Sequence, residues 1–125
     1  MEEDKKTILI VDDSVYLINK LKAIFERNGF KAIGITNGIE AIRQYPLLHP
    51  VLVTMDIVMP DMSGLEVIEE LKKIDPEVKV VVISSIGMKE KIMAAVRLGA
   101  KNFILKPFSG QKVMEIVNQI LGAKS

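Results

Sequence analysis

The chain has no cysteine, which excludes disulfides and thiolate metal sites and is expected of a reducing compartment. It has no excess of either charge. Lys and Arg number 17 against 16 Asp and Glu, for a formal net charge of +1, and the basic residues form no cluster of the kind that binds nucleic acid. No apolar stretch approaches the ~18 residues of a membrane span. The start, Met1-Glu2-Glu3-Asp4-Lys5-Lys6, is polar and lacks the apolar centre of a signal peptide. These absences lead us to expect a cytoplasmic protein with neither a nucleic-acid partner nor membrane insertion. There is also no repeat, low-complexity tract or interdomain linker. The first strand-to-helix turn, Val11-Asp12-Asp13-Ser14, contains no glycine, whereas a nucleotide-binding enzyme would carry a glycine-rich phosphate loop there.

What remains is 125 residues, 49% apolar and 26% charged, the size and balance of one globular domain spanning 1–125. Short apolar runs alternate with helical patterns, which implies a parallel α/β sheet. Strands are expected at Thr7–Val11, Lys31–Thr36, Val51–Met55, Val80–Ile83 and Asn102–Leu105. Four are nearly continuous apolar runs, as expected of strands covered on both faces, while the more polar run at 31–36 suits an edge. Helices are expected between Ser14 and Asn28, over Ile39–Tyr45 with a stop before Pro46, and over Leu65–Ile74, Lys89–Leu98 and Gln111–Leu121. Five βα units of this length make a single open five-stranded parallel sheet with helices on both faces.

Open parallel sheets bind ligands at the carboxyl ends of their strands. Asp12 and Asp13 close the first run, Asp56 the third, Ser84 the fourth, and Lys106 follows the fifth, directly before Pro107. On neighbouring strands these groups meet at one edge. Three carboxylates packed together repel and raise one another's pKa, and a divalent cation relieves that repulsion. Oxygen-only ligands suit Mg²⁺. Each residue also has a simpler reading. Asp13 or Ser14 can cap the first helix, Asp56 and Lys106 can be loop and surface charges, and Ser84 can bond to backbone. His49, before Pro50, falls at the opposite edge and reads as a loop residue. The seven methionines suit helix-face packing. It is the convergence of Asp12, Asp13, Asp56, Ser84 and Lys106 that favours a site.

The pieces Ile8-Leu-Ile-Val-Asp12-Asp13-Ser14, Met55-Asp56-Ile57-Val58-Met59-Pro60-Asp61-Met62-Ser63-Gly64, Val80-Val-Val-Ile-Ser84-Ser85, Gly99-Ala100 and Phe103-Ile-Leu-Lys106-Pro107-Phe108 closely resemble receiver domains of two-component response regulators, most of all the stand-alone chemotaxis type. The resemblance runs from Ile8 to about Leu121. It implies the flavodoxin-like (βα)5 fold with strand order 2-1-3-4-5. It implies Asp56 as phosphoacceptor from a sensor histidine kinase. Asp12, Asp13, Asp56 and the Val58 backbone carbonyl would hold Mg²⁺, and Ser84 and Lys106 would bind the phosphoryl group. Ser84 and Phe103 would be switch residues, and the Lys106–Pro107 peptide would be cis. It further implies a downstream protein target engaged through helix 4, strand 5 and helix 5, and allows a dimer formed on phosphorylation. The fourth helix, with Ile92-Met93-Ala94-Ala95-Val96-Arg97-Leu98, is apolar almost all round, so part of that surface should reach solvent, and Ile92, Val96 and Leu105 are expected to contribute to it near Phe103. The sole catalysis would be of the protein's own phosphorylation and dephosphorylation.

Two features depart from the common receiver pattern. The switch aromatic is Phe103 rather than tyrosine, and Val58 and Ile86, two residues beyond Asp56 and Ser84, are apolar where many receivers carry polar groups. Slow self-dephosphorylation is the expected consequence. The alternatives are a relay intermediate that passes the group to another histidine, and a Mg²⁺-dependent aspartyl phosphatase. The latter needs a second acid two residues after its nucleophile. Ser14, Val15 and Val58 stand at that distance from Asp12, Asp13 and Asp56.

Overall fold

Five runs of apolar residues form one parallel sheet in the computed structural model, which describes residues 5–122. Residues 1–4 of the polar start and both outer limits of the expected domain lie outside the described residues. The strands are β1 (Thr7–Val11), β2 (Lys31–Ile35), β3 (Leu52–Asp56), β4 (Val80–Ser84) and β5 (Asn102–Leu105). Their order is β2-β1-β3-β4-β5, as expected, with the more polar β2 at one edge. The helices between them are α1 (Val15–Arg27), α2 (Gly38–Leu48), α3 (Gly64–Ile74), α4 (Lys89–Arg97) and α5 (Gly110–Leu121).

Strand side chains alternate between faces, so a sheet covered on both sides needs apolar residues at nearly every position. Leu9, Val11, Val53, Met55, Val80 and Val82 face α2, α3 and α4, where Ala41, Val67, Ile68, Leu71 and Ala95 meet them. Ile8, Ile10, Leu52, Val81, Ile83 and Ile104 face α1 and α5, against Ile18, Leu21, Phe25, Val113, Ile116 and Val117. Burying one such aliphatic or aromatic side chain contributes about 1.5–3 kcal/mol, so these two layers hold the strand ends in fixed register.

Helix ends follow local chemistry. The Ser14 hydroxyl accepts from the Leu17 N–H, which settles the choice between Asp13 and Ser14 in favour of Ser14. Ser63 and Glu66 form a reciprocal capping box at α3. Gly29, at φ +91°, follows α1 in the left-handed conformation that stops it.

Three expectations need correction. α2 does not stop before Pro46 but runs two residues past it to Leu48. Near a C-terminus proline removes a single helical hydrogen bond, and the turn is secured by buried Tyr45 and by the His49 N–H donating to the Tyr45 carbonyl at 3.2 Å. His49 is thus the left-handed cap of α2. β5 is not covered on both faces. It is the second edge strand, with Ile104 buried and Phe103 and Leu105 exposed. Ile92, expected on the outer surface, is buried between α4 and the sheet. The apolar residues of α4 that reach solvent are Met93 and Val96.

Candidate functional site

The chain reverses direction across the sheet after β2, so β1 and β3 are neighbours whose onward helices depart to opposite faces. That arrangement opens a crevice at their carboxyl ends. Register places Val11 beside Met55, so Asp12 follows level with Asp56. β3 and β4 each extend one residue beyond the expected strand, making Asp56 and Ser84 their last residues.

The Asp12 carboxylate is almost fully buried. Its Oδ1 accepts from the Ser14 N–H at 2.9 Å, while its Oδ2 has no hydrogen-bond partner. The Lys106 Nζ stands 4.0 Å from that Oδ2 and 3.7 Å from the Asp56 Oδ1. At these separations the ammonium offsets charge without forming a short ion pair to either group. Carboxylate oxygens of Asp12, Asp13 and Asp56 lie within 4.8 Å of one another. Asp13 is exposed, at the mouth.

Burial is the largest influence on Asp56 and pushes its carboxyl up to about 6. The Asp12 and Asp13 charges add to the shift, and Lys106 and the Val58 backbone N–H oppose it. Asp12 is also raised, again chiefly by burial, against the Ser14 N–H and Lys106. A buried acceptor without a donor and two carboxylates that resist ionisation form a cavity short of positive charge. The donors are all oxygen and closely grouped, so the residues present fit a hard divalent cation such as Mg²⁺.

Ser84 is buried at the end of β4, its hydroxyl donating to the Ser85 carbonyl at 3.2 Å. The Lys106 N–H donates to the Ser84 carbonyl at 2.8 Å, so the sheet ladder itself carries Lys106 to the site. The Lys106–Pro107 bond is cis, as expected. Val58 and Ile86 reach solvent beside the site, 56% and 79% exposed, rather than folding into the protein. Phe103 lies out on the edge strand, 39% exposed. The structure therefore gathers Asp12, Asp13, Asp56 and Lys106, sets Ser84 on the adjoining strand end, and leaves Phe103 apart.

Two residues quoted in the motifs received no role from sequence. Gly64 passes so close to Asp56 that a Cβ would strike the Asp56 carbonyl oxygen, while its N–H donates to the Ile57 carbonyl at 2.7 Å. Asp61 reaches across to the start of α2. A glycine eight positions beyond a strand-end aspartate hints at close backbone approach. Nothing in the spacing of Asp61 points to α2.

The model of the response regulator receiver domain matches residues 8–118. Chemotaxis protein CheY of Thermotoga maritima is 43% identical over 116 residues, covering 92% of this chain and 97% of that protein. The CheY of Bacillus subtilis is 39% identical over 91% of this chain and 96% of its own length. Among solved structures, a chain of the CheX–CheY–BeF3–Mg²⁺ complex from Borrelia burgdorferi matches with a TM-score of 0.88 and 34% identity, over 93% of this chain and 89% of that one.

Proposed function

Since the chain belongs to the response regulator receiver family and is a CheY-type, phosphorylation-dependent switch of two-component signalling, we propose that it takes a phosphoryl group onto Asp56 from a histidine kinase, with Mg²⁺ bound. The observation that carries this is the buried, mutually repelling pair Asp12 and Asp56 under the Lys106 ammonium, with Asp13 at the mouth. Asp12, Asp13, Asp56 and the Val58 backbone carbonyl would hold the cation, which supplies the positive charge that Asp56 ionisation and an incoming phosphoryl group both require.

The chain's own residues do the rest. An Asp56 oxygen attacks phosphorus as the phosphorus–nitrogen bond of the donor phosphohistidine breaks and the imidazole leaves with the electron pair. Lys106, already 3.7 Å from Asp56, binds one oxygen of the transferred group. The Ser84 hydroxyl exchanges its bond to Ser85 for another. Contacts that exist only in the phosphorylated state shift an equilibrium between conformations. The edge they act on is β5, where Phe103 and Leu105 are exposed, as is Val96 on α4. A groove of about 650 Å³ runs between β5 and α5, lined by Phe103, Pro107, Lys112 and Glu115 among others. These exposed apolar residues are where a partner protein of the chemotaxis type would dock.

The test is labelling with acetyl phosphate, read by intact-protein mass. One Mg²⁺-dependent phosphoryl group is expected in the wild type and none in Asp56→Asn. Full labelling of the variant, or labelling of wild type in EDTA, would overturn the assignment.

A further inference from the structure

The loop from Ile57 to Ser63 has no regular structure, yet it is held at three places. At its base, the Gly64 N–H donates to the Ile57 carbonyl at 2.7 Å, directly above the Asp56 backbone. In its middle, Met59 is buried against the α2–α4 side of the core. At its tip, the Asp61 carboxylate crosses to α2. It accepts from the Gly38 N–H at 3.0 and 3.3 Å through its two oxygens, and from the Ile39 N–H at 3.2 Å. The helix's own cap, Asn37, takes the next donor, the Glu40 N–H, at 2.8 Å. Of the first three donors of α2, two therefore bond to a residue more than twenty positions away in the chain. A carboxylate at this position also meets the positive end of the helix.

The strand leading into α2 is itself tied to the site, because the Asp12 N–H donates to the Ile35 carbonyl at 3.1 Å. The ties close into a ring. Asp12 holds the end of β2, β2 leads into α2, α2 holds Asp61, and Asp61 anchors the loop that carries Val58. The Val58 N–H in turn faces the Asp56 carboxylate. Side-chain ligands correct small errors of position by changing rotamer. A peptide group does not, so its place relative to Asp56 is decided by whatever holds its loop.

We infer that Asp61 is a positioning residue of the phosphorylation site, clamping the Ile57–Ser63 loop to the first turn of α2 so that the Val58 peptide is set for cation binding before the cation arrives. The inference rests on the proposed Mg²⁺-dependent reading of the site. Without the clamp, the loop must be ordered at the moment of binding. Apparent affinity then falls in proportion to the fraction of molecules already in the competent arrangement.

The experiment is Mg²⁺ titration followed through the backbone amides of Asp13 and Val58 by ¹H–¹⁵N NMR, on wild type, Asp61→Ala, Asp61→Asn and Asn37→Ala. Urea unfolding of each variant serves as the measure of structural damage. Asn37→Ala removes a cap from the same helix and leaves the loop tie intact. Asp61→Ala is expected to weaken Mg²⁺ about 10-fold, a typical cost of losing a group that supports a ligand. Asp61→Asn, which keeps one acceptor oxygen, should restore about half of that loss on a logarithmic scale, and Asn37→Ala should stay within about 2-fold of wild type. Wild-type affinity in Asp61→Ala, or equal weakening by Asn37→Ala, overturns the inference. Should Asp61→Ala fail to fold, wild-type affinity in Asp61→Asn overturns it equally. If the wild type itself binds no Mg²⁺, the reading of the site fails first and takes this inference with it.

Discussion

Asp56 and Asp75 are the same side chain at opposite edges of one sheet, and the fold treats them in opposite ways. Asp75 caps the C-terminus of α3 at the amino edge. It accepts from the Tyr45 hydroxyl at 2.7 Å and the Glu77 N–H at 3.0 Å. Those bonds, the Tyr45 hydroxyl foremost, hold its carboxyl below the usual carboxylate range. Asp56 is buried, faces a second buried carboxylate, and is pushed up to about 6. One edge is chemically complete, with a solvated charge and paired donors. The other is left with an unpaired acceptor on Asp12 and excess negative charge, a local cost that the packed layers above and below offset. The difference shows which edge carries unbalanced charge.

The comparison breaks most visibly on removing the raised carboxyl. Because the folded-state pKa of Asp56 lies above its ordinary 3.8, the folded protein holds its proton more tightly than the unfolded chain does. Its contribution is present in full below about pH 4 and is lost as pH rises through about 6. In EDTA, the wild type is therefore expected to lose stability between those values. Asp56→Asn should be about 3 kcal/mol more stable than wild type near neutrality and lack that part of the slope. Urea unfolding at pH 4.5 and 7.5 makes the check, and equal stabilities at the higher pH would show that neither burial nor the neighbouring carboxylates disfavour the Asp56 charge.

A smaller effect concerns the apolar rim of the incomplete edge. With Asp56 as the proposed phosphoacceptor, hydrolysis of its acyl phosphate would need water in line with the phosphorus–oxygen bond. Val58 and Ile86, both exposed beside the site, offer that water no hydrogen bond. Replacing them as Val58→Asn with Ile86→Glu should speed decay of the phosphorylated protein about 10-fold, equivalent to about 1.4 kcal/mol of barrier. Decay is followed by loss of the phosphoryl mass after donor removal. An unchanged rate would assign the lifetime to other groups.

The smallest effect is expected at the complete edge. Tyr45→Phe removes one hydrogen bond but leaves Asp75 solvated and bonded to the Glu77 N–H, so a loss of about 1 kcal/mol is expected. Phosphorylation of Asp56 should be unaffected. A change in labelling rate would mean that the two edges communicate, sharpening the comparison into coupling.

Much of this was legible in the sequence because it depends on period and order. Unbroken apolar runs such as Val80–Ile83 predict strands covered on both sides, and strand-end aspartates fall at the carboxyl edge of any parallel sheet. Errors arose where tertiary contacts outweighed a local rule. Pro46 lies inside α2 because Tyr45 and the His49 cap hold the final turn. Ile92 is buried because the rotation of a helix about its axis is set by what it packs on, and an apolar list cannot choose among the faces of α4.

By itself the sequence determined the five βα units, the family motifs, and the residues that converge on the site, since all of these follow from side-chain type and spacing along the chain. Only the tertiary structure decided that Asp12 keeps one oxygen without a donor, that Lys106 stands between two carboxylates, that Val58 and Ile86 face solvent, and that Asp61 ties its loop to a helix more than twenty positions earlier. Those outcomes depend on distances between residues remote in sequence. Such distances are set by how two layers of helices pack on the sheet, and local propensity carries no information about them.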